Sequence, residues 1–227
     1  MKKKYSTIIL LTFLLISFTC KYAVKAELYI SEILETANKS SKESFAVSEL
    51  KFGVGSLEKC EEDKEYLTNL LSNYFNNIRD LKCANIEMDT FLISTVDIPI
   101  VAFTKKEFEP VDGLLNITVK PGKPIRVGLF LNESEFSDLK AKINDKYWQS
   151  IKMEDFSLNF TLFNDTKQIT KLEVTSSFVN SEPVPFWQSY QLNPKNKLSI
   201  ELSNVLKEYI NKKTISDFIK IEVESKK

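Results

Sequence analysis

The sequence of 227 residues contains no histidine, and it has only five glycines, three cysteines and two tryptophans. Histidine is the side chain most often used as a general base and as a metal ligand. Its absence excludes Ser–His and Cys–His catalytic pairs and any metal site that needs an imidazole. We therefore expect a protein that is not an enzyme and has no catalytic, cofactor-binding or metal-binding residues.

Arginine is also scarce, since Arg79 and Arg126 are the only two in the chain. Residues 1–26 hold five lysines and no acidic residue, so the remaining chain has 26 basic and 31 acidic residues, a net charge of −5. A mildly acidic body argues against a surface that binds nucleic acid.

The N-terminus has the pattern of an export signal. Lysines follow Met1, and Ile8 to Phe18 form an apolar run that is short for a membrane span and suits a signal sequence. We expect Met1–Ala26 to be the signal and residues 27–227 to form one exported domain.

Two processing sites remain open. Val24-Lys25-Ala26 offers the small or apolar residues that signal peptidase prefers, and cleavage there would release a chain that begins at Glu27. Alternatively, Cys20 lies directly after the apolar run, where a bacterial lipoprotein carries its lipidated cysteine. The preceding Ser17-Phe18-Thr19 lacks the small residues usual at such a site.

Either route leaves Cys60 and Cys83 as a pair in an exported chain. A disulfide is the expected state of such a pair in an oxidising compartment. It would stabilise the fold by about 3–4 kcal/mol if it acts by restricting the unfolded chain. The alternative is two free, buried thiols.

An amphipathic helix is predicted between the two cysteines. Apolar residues recur at helical spacing from Leu57 to Arg79, and Ser56 suits the N-cap. Met88 to Phe103 follows as a long strand with apolar residues on both faces, which predicts a central, covered position. Pro99 has no N–H to donate and predicts a bulge or break in this strand.

Shorter elements complete the pattern. Lys120-Pro121-Gly122-Lys123 predicts a turn between strands Leu115–Val119 and Ile125–Leu131, and Asn132 begins a capping box for another helix. Further strands are predicted around Phe156–Leu162, Leu172–Phe178, Leu198–Leu202 and Phe218–Val223, with a short helix at Val205–Ile210 and a loop at Ser181–Pro194. The expected fold is α+β, a mostly antiparallel sheet or sandwich with two or three packed helices and one disulfide.

Four aromatic residues next to predicted loops have no assigned role: Tyr147, Trp148, Phe186 and Trp187. Such residues either plug the core or contact a binding partner. Trp148 and Trp187 are the candidate contact residues.

The order of features resembles a family of small, uncharacterised bacterial lipoproteins, some of them prophage-borne, that is classified as a domain of unknown function. The resemblance rests on a cysteine at the end of the signal run, the pair Cys60 and Cys83, the strand FLISTVDIPIVAF, the FNDT turn near Asn164 and the strand KLSIELSNV. It implies a lipid on Cys20 and no known activity.

The leading hypothesis is a non-enzymatic protein of the cell envelope, periplasmic or at the cell surface of a bacterium. It would be anchored by lipid on Cys20 or free in the periplasm, and it would act through contact with an envelope protein. The alternative is a periplasmic carrier of an apolar ligand or lipid, because sixteen phenylalanines and many strands could enclose a hydrophobic cavity.

Overall fold

The computed structural model describes residues 22–38, 44–103 and 111–222. Within these ranges there are four α-helices: α1 (Ile30–Asn38), α2 (Leu57–Leu71), α3 (Glu133–Tyr147) and α4 (Asn204–Lys213). The strands are β1 (Tyr22–Tyr29), β2 (Ser44–Val54), β3 (Asn76–Ile86), β4 (Asp89–Ala102), β5 (Leu115–Lys120), β6 (Ile125–Leu131), β7 (Phe156–Phe163), β8 (Thr170–Val174), β9 (Ser177–Val179), β10 (Glu182–Val184), β11 (Gln188–Leu192), β12 (Lys197–Leu202) and β13 (Ile215–Ile221).

All of these strands form one sheet, in the order β10-β9-β12-β7-β1-β2-β4-β5-β6-β13-β8-β11, with β3 paired beside β4. Neighbours run antiparallel except β1 with β7 and β4 with β5. The prediction of a mostly antiparallel sheet with packed helices and one disulfide is confirmed at that level, although four helices are present rather than two or three.

One bent stretch nearly closes the sheet on itself. Only Thr175 and Ser176 separate β8 from β9. The amide of Thr175 donates to the Phe218 carbonyl in β13, and the amide of Ser203, just after β12, donates to the Ser176 carbonyl, both at 3.1 Å. Because β12 and β13 lie towards opposite ends of the strand order, this stretch joins those ends. The sheet is therefore nearly closed, with twelve strands in its path, and is not a simple sandwich.

Side chains from opposite strands meet inside this sheet. The rings of Phe160 in β7 and Phe218 in β13 lie 5.0 Å apart, centroid to centroid, and both residues are buried. Since β7 and β13 are not neighbours in the sheet, the contact crosses the interior.

The first described strand lies at the centre of the sheet. β1 pairs with β2 on one side and with β7 on the other, and its alternate residues Tyr22, Val24 and Ala26 are buried. The domain therefore includes residues 22–26, which the sequence analysis assigned to the export signal. The rest of that signal, with Cys20, lies outside the described residues.

The helix between the cysteines is shorter than predicted. It begins at Leu57, where the Ser56 hydroxyl accepts from the Lys59 amide, but it ends at Leu71 rather than at Arg79. The Asn73 side chain donates to backbone carbonyls of the last turn, and the chain then enters β3. The helical spacing of apolar residues continues beyond Leu71, but from Asn76 onward the chain pairs with β4 as a strand instead.

The long strand β4 is central, as predicted, but Pro99 causes no register shift against β2. On its other side, β4 pairs with β3 as far as Asp97 and with β5 from Ile100 onward. Pro99 thus lies where one neighbour ends and the next begins. The break expected at Pro99 is therefore not in β4 itself but in its partners, between Asn76 of β3 and the start of β5.

The hairpin of β5 with β6 and the Asn132 cap of α3 are confirmed. The predicted loop at Ser181–Pro194 is wrong, because β10 and β11 occupy most of it. β10 forms a tight hairpin with β9 across Asn180 and Ser181, whereas β11 pairs with β8, a partner that the local sequence does not indicate.

Candidate functional site

Three cations lie side by side on neighbouring strands at one end of the sheet. Arg126 in β6 is register-paired with Lys120 in β5 and with Lys220 in β13. Paired residues project from the same face of a sheet, with Cβ atoms about 4.5–5.5 Å apart. Like charges at this spacing repel one another, so this cationic row (Lys120, Arg126 and Lys220) favours negatively charged partners.

An aromatic ring lies at each end of the cationic row. The Nζ atom of Lys220 is 3.7 Å from the centroid of the Trp187 ring, and that of Lys120 is 4.7 Å from the Phe103 ring. Both geometries are cation–π contacts. The rings hold the two outer lysines in place and add apolar surface on either side of Arg126.

The two outer lysines also have carboxylate partners. Lys120 Nζ is 2.8 Å from Asp217 Oδ1, and Lys220 Nζ is 3.1 Å from Glu173 Oε2. Arg126 is exposed, and its side chain has no ion-pair or hydrogen-bond partner among residues 22–38, 44–103 and 111–222. Its guanidinium is therefore the member of the row whose donors are available to a ligand.

Two adjoining clefts surround this arginine, of about 440 Å³ and 480 Å³. They share the residues Lys123, Pro124 and Arg126. Together they form what we call the cationic cleft, whose other lining residues are Phe103, Lys120, Pro121, Gly122, Glu173, Lys220 and Glu222. A guanidinium presents donors in a planar fork that fits a carboxylate in a bidentate manner.

A family model described as a domain of unknown function, DUF7424, matches residues 22–225. The chain belongs to this family. The match starts at the first residue of β1, and the expectation of an uncharacterised family is confirmed. Searches of the curated proteins and of the solved structures found no match to the chain.

The disulfide predicted for this DUF7424 chain is confirmed. Cys60 and Cys83 are bonded, with their Cα atoms 6.0 Å apart, and the bridge joins α2 to β3. Cys60 is fully buried. The bridge is therefore a structural link and not part of the cationic cleft.

The two candidate contact aromatics lie in different places. Trp187 borders the cationic cleft through its contact with Lys220 and is 40% exposed. Trp148 follows the last residue of α3 and is 90% exposed, so the core-plug interpretation is wrong for this residue. Phe186, beside Trp187, is also exposed. Cys20, the candidate lipidation site, lies outside the described residues.

The residues of the cationic row were not predicted from the sequence. The turn at residues 120–123 already implies that Lys120 and Arg126 lie close together, and Arg126 is one of only two arginines. Nothing local indicates Lys220, because its place depends on the pairing of β13 with β6.

Neither a metal-binding cluster nor a membrane-spanning helix occurs in the described ranges. There, no three His, Cys, Asp or Glu side chains are grouped so that they could hold a metal ion. In the same ranges, no helix has the length and apolar character needed to cross a membrane.

Proposed function

We propose that this DUF7424 protein is a non-enzymatic protein of a bacterial cell envelope, anchored by lipid on Cys20, that binds an acidic segment of a partner protein. The binding site is the cationic cleft. The observation that carries the proposal is the exposed, unengaged guanidinium of Arg126 between two lysines that are already paired.

The charges of the cleft favour a carboxylate ligand. Binding an Asp or Glu side chain at Arg126 relieves the repulsion within the cationic row and forms charge-assisted hydrogen bonds. The rings of Phe103 and Trp187 with the prolines of the β5–β6 turn offer apolar surface to neighbouring residues of the ligand. The preferred segment therefore combines acidic and apolar side chains.

The position of β1 supports anchoring at Cys20. Cleavage before Cys20 leaves the whole of β1, which begins at Tyr22, in the mature protein. Cleavage after Ala26 would remove three buried side chains, those of Tyr22, Val24 and Ala26, from the middle of the sheet. Of the two processing sites, the one at Cys20 is compatible with the fold.

The alternative function, a carrier of apolar ligands, is less well supported. A carrier needs an apolar cavity large enough for its ligand. The contact between Phe160 and Phe218 fills the interior at the level where it crosses the sheet. The clefts that surround Arg126 are lined by charged residues instead.

The binding proposal can be tested with Trp187 as the reporter. The variant Trp148→Phe leaves Trp187 as the single tryptophan, since the chain has two. Titrating this variant with a short peptide rich in Glu and Phe should change its fluorescence, and adding Arg126→Glu should weaken binding at least about tenfold. Lys197→Glu, at an exposed lysine of β12, is the matched control and should bind normally. Equal loss in both charge variants, or no response to the peptide, contradicts the proposal.

The anchoring proposal is tested by the intact mass of the chain purified from bacterial membranes. We expect a mature chain that begins at a lipidated Cys20, and the variant Cys20→Ser should leave the membrane fraction. Recovery of a free chain that begins at Glu27 overturns the proposal.

A further inference from the structure

Three large apolar side chains are exposed at the end of the sheet where β1 begins. Met88 at the tip between β3 and β4 and Trp148 after α3 are each 90% exposed, and Leu57 at the start of α2 is 44% exposed. We call this set the apolar end. Contiguous exposed apolar side chains commonly mark a site of interaction.

Ladder registers place Met88 close to the start of β1. Tyr22 pairs with Phe52 in β2, and Phe52 pairs with Leu92 in β4. The strand β4 begins at Asp89, which is three residues before Leu92, and Met88 comes immediately before Asp89. The tip that carries Met88 therefore projects past the first residue of β1.

Trp148 and Leu57 border the same region. Gln149, which follows Trp148, lines a cleft of about 190 Å³ together with Met88 and Gly55. Leu57 comes two residues after Gly55. Met88 thus lines this cleft, and Trp148 and Leu57 each lie within two residues of a lining residue.

The backbone fixes the indole of Trp148 in its exposed position. Trp148 has a φ of 55°, and its amide donates to the Asn144 carbonyl at 2.8 Å. The preceding Tyr147 donates its hydroxyl to Asp63 Oδ2 at 3.0 Å. Since Asp63 is buried on α2, the end of α3 is tied to the body of the protein and Trp148 projects outward.

We infer that the apolar end lies on a zwitterionic membrane surface, with Trp148 and Met88 inserted among the lipid headgroups. This inference rests on the anchoring proposed at Cys20. Cys20 precedes Tyr22 by two residues, which span at most about 7 Å, so a lipid on Cys20 holds the bilayer next to this end of the sheet. Tryptophan favours the interface between headgroups and acyl chains, and methionine and leucine add apolar area there.

Charge decides which lipid surface fits. Glu58, Glu87 and Asp89 lie next in sequence to residues of the apolar end and would be repelled by anionic headgroups. A zwitterionic surface avoids this repulsion and still accepts the apolar side chains. We therefore expect insertion that depends little on salt.

The cationic cleft lies at the other end of β4. Phe103, which borders the cleft, follows the last residue of β4, whereas Met88 precedes the first. With the apolar end on the membrane, the cleft faces away from the bilayer, where an acidic segment of another protein can reach it.

The orientation is tested with lipidated full-length chains that carry one tryptophan each. Trp187→Phe leaves Trp148 as the reporter of the apolar end, and Trp148→Phe leaves Trp187 as the reporter of the cleft. Each chain is purified from bacterial membranes and reconstituted in phosphatidylcholine vesicles whose acyl chains carry bromine, which quenches nearby tryptophan. We expect strong quenching and a blue shift for Trp148 and neither for Trp187. Adding Met88→Gln should reduce the quenching of Trp148.

The possible outcomes separate the orientation from the anchor. Vesicle-bound protein with Trp148 unquenched, or with both tryptophans quenched alike, overturns the orientation and leaves the anchor standing. Protein that does not float with the vesicles overturns the anchoring proposal, and the orientation falls with it.

Discussion

Lys207 links α4 to the start of β7 through its buried ammonium group. It is 2% exposed, and its Nζ atom donates to the backbone carbonyls of Glu154 and Phe156. A lysine is rarely buried to this extent without such partners. Both carbonyls accept from Lys207, so the residue orders the chain that leads into the central strands.

We expect Lys207→Met to lower the free energy of unfolding by about 2–3 kcal/mol, because buried carbonyls lose a charged donor. Urea unfolding measures the change. Lys212→Met, at an exposed lysine of the same helix, is the control and should change stability by less than about 0.5 kcal/mol. Equal effects of the two variants would show that the buried ammonium group contributes nothing specific.

Asp63 is a buried carboxylate that joins α2 to α3. Burial alone would raise the pKa of Asp63, but hydrogen bonds from Lys59 and Tyr147 outweigh it and lower the pKa below its usual value. A group with a lowered pKa in the folded state stabilises the protein above its unfolded pKa, about 3.9 for Asp. That stability is lost as the pH falls through the folded pKa.

The variant Asp63→Asn should therefore be less stable than the wild type at pH 7, by about 1–3 kcal/mol. It should also lose less stability than the wild type when the pH falls from 5 towards 2. Chemical unfolding across this range measures both effects. Glu65→Gln, at an exposed position of α2, serves as the control and should follow the wild-type pH dependence.

At the scale of elements, the disulfide fixes α2 against β3. The bridge joins residues 23 positions apart, and a closed loop of this length stabilises a fold by about 3–4 kcal/mol through the unfolded chain. The double variant Cys60→Ala with Cys83→Ala should lose about this amount, as measured by thermal or urea unfolding. The cationic cleft should keep its affinity for the acidic peptide, because the bridge lies outside it. Loss of peptide binding by the folded double variant would contradict this separation.

Elements with local signals were predictable, and those that depend on distant partners were not. The turn at residues 120–123 and the cap at Asn132 specify their elements within a few residues. The first five residues of β1, Tyr22 to Ala26, were assigned to the export signal because Val24-Lys25-Ala26 suits signal peptidase. Only pairing with β2 and β7 shows that its residues belong to the core.

The residues of the cationic cleft also differ in whether the local sequence could predict their positions. The proximity of Lys120 and Arg126 follows from one hairpin and could be read from the sequence. Lys220 joins them only because β13 pairs with β6, and Trp187 joins only because β11 pairs with β8. A cleft assembled from such pairings has no signature in a single stretch of the chain.

At the scale of the whole molecule, we expect the start of β1 to determine which of the two proposed mature forms can fold. We expect a soluble chain of residues 20–227 with Cys20→Ser to unfold cooperatively. A chain of residues 27–227 should be unfolded or aggregate, because it lacks the buried side chains of Tyr22, Val24 and Ala26. Circular dichroism and thermal unfolding compare the two forms. A folded 27–227 chain of equal stability would contradict the central role of β1.

The parallel pairing of β1 with β7 also has a consequence for the time course of folding. Tyr22 pairs with Phe156, and at typical synthesis rates β7 emerges roughly 7–27 s after β1. Until β7 has been synthesised, β1 can pair with β2 but not with β7. Sheets built from such distant pairings fold slowly once the chain is complete. We expect a polypeptide whose central strand gains its second neighbour late to remain incompletely folded during synthesis, which would suit the export proposed for this chain.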